Sequence, residues 1–169
     1  METISCIFTR RSVRKFAGKE IPAEHVELLV KAAMFAPSAR NMQPWQFLVI
    51  DEREKLNALS RIHPYGKMLK ESALAILICG DKRIEPHEGY LCLNCAAATQ
   101  NILLAAHDLG LGSVWLGVYP RPERIQGIHS YFELPGYILP ISLISLGYPA
   151  EEKENPERYK KERLHFNGW

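Results

Sequence analysis

Apolar residues along this chain recur in two rhythms, one of helical spacing and one of short runs. From Ile21 to Ala36 the residues Val26, Leu29, Val30 and Ala33 fall on one helical face. Pro22 suits the first turn of that helix and Pro37 stops it. WQFLVI (Trp45 to Ile50) predicts a first strand, after which Asp51 is placed to cap a short helix reaching about Arg61. HPYG turns the chain, and a short helix is expected over Lys67 to Ser72. ALAILIC (Ala73 to Cys79) is apolar on both faces, which predicts a central strand. The longest helix is expected from about Glu88 to Leu109, closed by Gly110. SVWLGV (Ser113 to Val118) predicts a third strand, Pro120 to Tyr131 a helix, and ISLISLGY (Ile141 to Tyr148) a fourth strand.

Two segments point beyond a single copy. The long helix carries Leu91, Cys95, Ala98, Ile102, Ala105 and Leu109 on one stripe, and Leu93, Ala96, Ala97, Leu103 and Leu104 off it. A helix apolar nearly all round has to be covered on all sides. At about 33 Å for its length, one chain of 169 residues encloses it with difficulty. From Glu151 to Arg163, ten of thirteen residues are charged, so the segment builds no core of its own, yet the chain ends in Leu164, Phe166 and Trp169. A two-fold partner accommodates both features. A centrally buried helix and a frayed tail are the alternatives.

The chain has the length of one domain. Apolar residues at 47% and charged residues at 24% are ordinary for a soluble protein. No apolar run is long enough to span a bilayer. The opening METISCIFTRR places its charges after its apolar residues, the reverse of a signal peptide. A cytoplasmic protein without membrane partners is expected. Four scattered cysteines make no disulfide framework. Cys92 and Cys95 form one CxxC inside the long helix and read as buried thiols rather than redox or metal ligands. The six histidines show no metal spacing, so no metal site is expected.

The charge that matters is local. RRSVRKF holds Arg10, Arg11, Arg14 and Lys15 within six residues, against a net charge of +2 for the whole chain. Arg offers a planar donor fork suited to a phosphate, and Ser12 adds a hydroxyl. Alone, the stretch reads more readily as a solvated basic turn. GLGSVWLG places Trp115 where a dinucleotide-binding glycine pattern needs Gly, and no Walker pattern is present. A bound phosphate would therefore be held by side chains. In PSARNMQPW, Ser38, Asn41 and Gln43 bring groups that can read the edge of a flat heterocycle, although the same stretch is also turn chemistry.

RRSVRKF, APSARNMQPWQFLVI, CAAATQNILLAAHDLGLGSVWLG and the basic KKER near the end, in this order, resemble the FMN-dependent nitroreductase family over about Thr9 to Arg163, at the length of its compact members. The resemblance implies an α+β, three-layer α-β-α fold with a mainly antiparallel sheet. It also implies an intertwined homodimer of single FMN-binding domains (1–169), with 151–169 a C-terminal extension packing on the partner subunit. By the same resemblance Arg10, Ser12 and the neighbouring Arg11 hold the FMN phosphate, together with Lys161 and Arg163. Arg14 and Lys67 reach the pyrimidine edge of the flavin. Pro37, Ser38, Asn41 and Gln43 reach the flavin from the partner, and Trp115, Leu116 and Gly117 lie against the ring. The chain departs from larger members near Pro64, where those members have an Asn beside flavin N5; a backbone N–H would have to serve there.

The activity implied is an oxidoreductase passing hydride from NADH or NADPH, through flavin N5, to a nitroaromatic, quinone or similar small acceptor by a ping-pong mechanism. The protein then needs no catalytic nucleophile. Arg14 and Lys67 give electrostatic support to the reduced flavin. A non-catalytic flavin binder and a reductive dehalogenase-type relative are the alternatives on this scaffold. Nucleic-acid binding through RRSVRK and RYKKER is disfavoured by 19 acidic residues against 21 Lys plus Arg, and by the lack of a recognisable binding motif.

Overall fold

Segments that are apolar on both faces take the middle of a four-stranded sheet. The computed structural model describes residues 1–169. In chain order it contains α1 (Thr3–Thr9), α2 (Ala23–Met34), β1 (Trp45–Ile50), α3 (Arg53–Ile62), β2 (Leu74–Asp81), α4 (Glu88–Asp108), β3 (Gly112–Gly117), α5 (Pro122–Tyr131) and β4 (Ile138–Gly147). Single 3-10 turns occupy Ala39–Asn41, Lys67–Lys70 and Lys161–Arg163. The strand order is β1-β2-β4-β3 with every pair antiparallel. Every residue of β2 and all but the first of β4 are buried, so the two inner strands are covered on both sides.

Alternation along β2 sends its side chains to two cores. Leu74, Ile76 and Ile78 join Ile144 and Leu146 against Leu29 and Ala33 of α2 and Leu91, Cys95, Ala98 and Ile102 of α4. Ala75, Leu77 and Cys79 join Leu116 and Leu143 against Leu56 and Leu59 of α3 and Ile128 of α5. The result is the expected α-β-α arrangement of three layers. Burying each such Leu or Ile contributes about 1.5–3 kcal/mol. Gly110 closes α4 at φ +74°, a left-handed conformation that suits Gly, with Gly110 N–H donating to His107 O at 3.0 Å and Leu111 N–H to Ala106 O at 2.8 Å.

Several elements differ from the sequence reading. α1 was not expected: of its residues only Cys6 is buried, while Ile4, Ile7 and Phe8 point away from the chain. Asp51 does not cap α3. Glu52 stands at that position without a capping bond, its carboxylate taken by Lys55 Nζ at 2.5 Å. The helix expected over Lys67 to Ser72 is one 3-10 turn, because β2 begins at Leu74. α5 starts at Pro122, with proline in its first turn. Cys92 is only half-buried, unlike Cys95. α4 leaves Tyr90 and Leu93 exposed on its outer face, and every residue from 152 to 169 is exposed.

At Gly80 the side chain of Leu91 on α4 lies directly against the sheet backbone. A Cβ added there would stand 2.5 Å from Leu91 Cγ, and Leu91 is fully buried. Gly80→Ala is expected to destabilise the fold by about 1–3 kcal/mol through overpacking, measured by urea unfolding. An unchanged midpoint would show that α4 has slack the structure does not display.

Candidate functional site

The opening cations are fixed by the residues around them. Thr9 Oγ1 donates to Ser5 O at 2.7 Å, so its oxygen accepts from His107 Nε2 at 2.8 Å, tying the end of α1 to the end of α4. Ser12 then bridges Ser113, and Val13 N–H donates to Ser113 O at 3.0 Å, which lays the basic stretch along the outer edge of β3. Gly112 permits this approach, since a Cβ there would meet Val13 Cγ1 at 2.7 Å. Beyond it, Ala17 N–H donates to Tyr148 O and Ala150 N–H to Lys15 O, both at 2.9 Å. The root of the C-terminal segment is thereby stitched to the N-terminal cations.

Arg10 and Arg11 line a cleft of about 320 Å³ with His107, Gly110, Glu151 and Lys153. Partial burial, then the charges of Arg158 and Arg11, pull the Arg10 pKa down. Arg11 Nε is buried without a hydrogen-bond partner. Neither arginine pairs with a carboxylate. Glu151 shares the cleft, but its Oε1 accepts from Arg14 N–H at 2.7 Å and its Oε2 pairs with Lys153 Nζ at 2.9 Å. Those contacts, the Arg14 N–H foremost, hold its carboxyl below the usual range. The array keeps an excess of positive charge, and this donor set fits a phosphate.

Arg14 and Lys67 line a second cleft of about 440 Å³ with Phe16, Met68, Glu71 and Ala150. Lys67 follows a turn in which Gly66 N–H donates to His63 O at 2.8 Å. His63 is buried; its Nε2 lies 3.0 Å from Gly117 O, and its Nδ1 accepts from Tyr65 N–H at 3.2 Å. A carbonyl only accepts, so Nε2 carries the proton and the ring is neutral. Burial lowers the His63 pKa and Arg124 lowers it further, against the bond to Gly117. Trp115 is 36% exposed, whereas Leu116 is 4% exposed in the α3–α5 core. The Leu116 side chain therefore faces the core, and its backbone is the part left to meet a ligand.

The loop after α2 is held separately. Ser38 Oγ accepts from Gln43 N–H at 3.0 Å, and Gln43 Nε2 donates to Asn41 Oδ1 at 2.8 Å. Arg40, Asn41 and Gln43 have φ of +53°, +55° and +48°, a costly conformation for three non-glycine residues. Asn94 Oδ1 accepts from Ala39 N–H at 2.9 Å, and the buried Glu85 takes Arg40 Nη2 at 2.7 Å. Pro37 is exposed beside them. Neither cleft includes a residue of this loop. Its anchor Asn94 and the cation anchor His107 stand thirteen positions apart on α4, about 20 Å at the helical rise. Lys161 and Arg163 sit exposed on a 3-10 turn without ion pairs. Within one chain, Arg10 with Arg11 and Arg14 with Lys67 thus line two neighbouring cationic clefts, the loop after α2 stands apart, and Ser12, Trp115, Leu116, Gly117, Lys161 and Arg163 line neither cleft.

The description of the Nitroreductase family matches residues 7–74 and 62–148, nearly the whole folded body. This chain belongs to that family. A protein of Methanothermobacter thermautotrophicus, provisionally named NADH dehydrogenase/NAD(P)H nitroreductase, is 43% identical over 169 residues, covering all of this chain and 88% of its own. A structure from Parabacteroides distasonis with the same provisional name superposes with a TM-score of 0.96 at 38% identity, covering 100% of this chain and 99% of that one. A structure from Desulfovibrio desulfuricans, provisionally named a nitroreductase and solved in complex with FMN, gives a TM-score of 0.86 at 31% identity, with 100% and 98% covered.

Several residues around these clefts and the loop carry little signal in the sequence. Arg40 lies inside PSARNMQPW, but its partner Glu85 is 45 positions away. His63 and His107 have no metal spacing and serve instead as hydrogen-bonding struts. Arg124 carries no local signal, and Arg158 belongs to the basic string RYKKER, whose nearness to Arg10 the order of residues does not show. Both histidines are held below the ordinary value of 6.5, His63 chiefly by burial and His107 by burial and then Arg10. The unfolded chain therefore takes up protons at these positions as pH falls through 6.5 while the folded chain resists, and stability declines in that window. The melting temperature is expected to drop from pH 7.5 to 5.5, and to drop less in a His63→Gln, His107→Gln double variant. Calorimetry showing the same drop in both proteins would assign the effect elsewhere.

Proposed function

We propose that this chain is a cytoplasmic, homodimeric FMN enzyme that oxidises NADH or NADPH and reduces a small acceptor such as a nitroaromatic or quinone in ping-pong fashion. The observation that carries the reading is the pair Arg10 and Arg11, partly buried side by side without a carboxylate, in a family whose Desulfovibrio member was solved holding FMN. In this reading Arg10, Arg11 and Ser12 hold the phosphate, joined by Lys161 and Arg163 from the C-terminal segment. FMN held there would supply the two-electron redox chemistry between the nicotinamide nucleotide and the acceptor.

The chain's own groups bind, orient and compensate charge. Arg14 and Lys67, which line one cleft, place positive charge where the flavin pyrimidine edge becomes negative on reduction. An arginine keeps that charge across physiological pH. Trp115 and the backbone of Leu116 and Gly117 form the wall. Pro37, Ser38, Asn41 and Gln43 contribute from the second copy, because their loop stands about 20 Å from the cation anchor along α4. The exposed face of α4 and the C-terminal extension 151–169, exposed from residue 152 onward, are covered by that copy, which ties cofactor binding to dimer stability.

Purified protein is expected to be yellow and to bleach under anaerobic NADH or NADPH. Retained colour would mark a flavin binder without this activity. Arg10→Ala removes charge-assisted bonds worth about 1.5–3 kcal/mol, so the Kd for FMN is expected to rise about ten- to hundredfold, with a lower melting temperature. Unchanged affinity in fluorescence titration would remove Arg10 from the phosphate site.

A further inference from the structure

The Gly117 carbonyl, at the end of β3, accepts two side-chain hydrogen bonds, from Arg124 Nη1 at 2.7 Å and His63 Nε2 at 3.0 Å. A carbonyl has two lone pairs, so its capacity is filled. The donors come from separate elements: His63 follows α3, and Arg124 lies early in α5. Nothing stands within 4 Å of a Cβ built on Gly117, so the front of this backbone is open to a ligand. Behind it, Leu116 is locked in the core. A glycine at a strand end has more backbone freedom than any other residue, and two side chains converge to remove it.

The same side chains organise the turn that carries Lys67. His63 accepts the Tyr65 N–H on Nδ1 and the Gly66 N–H on its carbonyl, one residue before Lys67. The Arg124 guanidinium stands 5.5 Å from the centre of the Tyr65 ring. Arg124 pairs with no carboxylate, and its Nε is buried without a partner. Its direct contacts are thus the strand end and the turn.

We propose that His63 and Arg124 are positioning residues of the flavin pocket: by fixing the Gly117 carbonyl they hold the end of β3 in register with the turn that presents Lys67. This rests on the flavin reading of that pocket. A preorganised wall and cation bind the cofactor without ordering on arrival, and small misplacements of such groups are costly.

The test compares FMN dissociation constants and flavin absorption spectra of refilled protein. His63→Leu and Arg124→Met are expected to raise the Kd at least tenfold and to shift the visible flavin band. His63→Gln, which keeps a donor near the Nε2 position, is expected within threefold of the parent. Ile76→Val, a core change on the opposite face of the sheet, should lower the melting temperature without altering the Kd. Should His63→Leu fail to fold, Arg124→Met on the half-buried helix start carries the same comparison. Affinities within threefold of the parent for His63→Leu and Arg124→Met, beside a weakened Arg10→Ala, overturn the clamp alone. So does equal weakening by His63→Gln, or by Ile76→Val. Failure of the parent to bind FMN removes the flavin reading and the clamp with it.

Discussion

Two guanidinium groups held side by side, partly out of water and without a carboxylate, repel each other. The Arg10–Arg11 pair is in that state, and Arg158 adds to the repulsion. Such an array persists because the surrounding structure enforces it. Thr9 is bonded to His107, Ser12 and Val13 are joined to β3, and residues 15–17 are joined to 148–150. The acid that could quench the cations, Glu151, is occupied by Arg14 N–H and Lys153. The charge is left free for an anion, and the fold bears the cost of keeping it so.

That constraint explains the close approaches around β3. Gly112 lacks a side chain where Val13 passes, whereas Gly117, at the other end of the strand, has open space in front of it. Between them, Leu116 anchors the strand in the α3–α5 core while Trp115 faces outward. The sheet acts as a rigid frame from which short segments carry the polar chemistry. The loop after α2 follows the same logic, since the left-handed Arg40 is held by Glu85 and the neighbouring Ala39 by Asn94, both from outside the loop. Backbone strain at that position requires such external support.

The exposed apolar residues belong to the same picture. Ile4 and Phe8 on α1, Phe35 after α2, Leu93 on α4, and Phe166 and Trp169 in the C-terminal segment are all more than half exposed. Exposed apolar surface of this extent marks a face for a partner. In the proposed homodimer a second copy would cover it and bring the distant loop of one chain toward the cations of the other. On that proposal cofactor affinity and assembly are two readings of one equilibrium.

By themselves, the periodic apolar positions determined the four strands, the main helices and the central place of ALAILIC, because burial on one face or two leaves a repeating mark on neighbouring residues. The strings RRSVRKF and PSARNMQPW marked the cationic stretch and the loop for the same reason of local clustering. Helix α1 left no mark, since its apolar side chains do not face its own chain. Tertiary structure alone decided that Arg10 and Arg11 lack acids, that Leu116 turns inward, and that His63 and Arg124 meet on one carbonyl 54 and 7 positions away. Those outcomes depend on which distant groups share a volume, and pairing between distant residues writes no period into the order of residues.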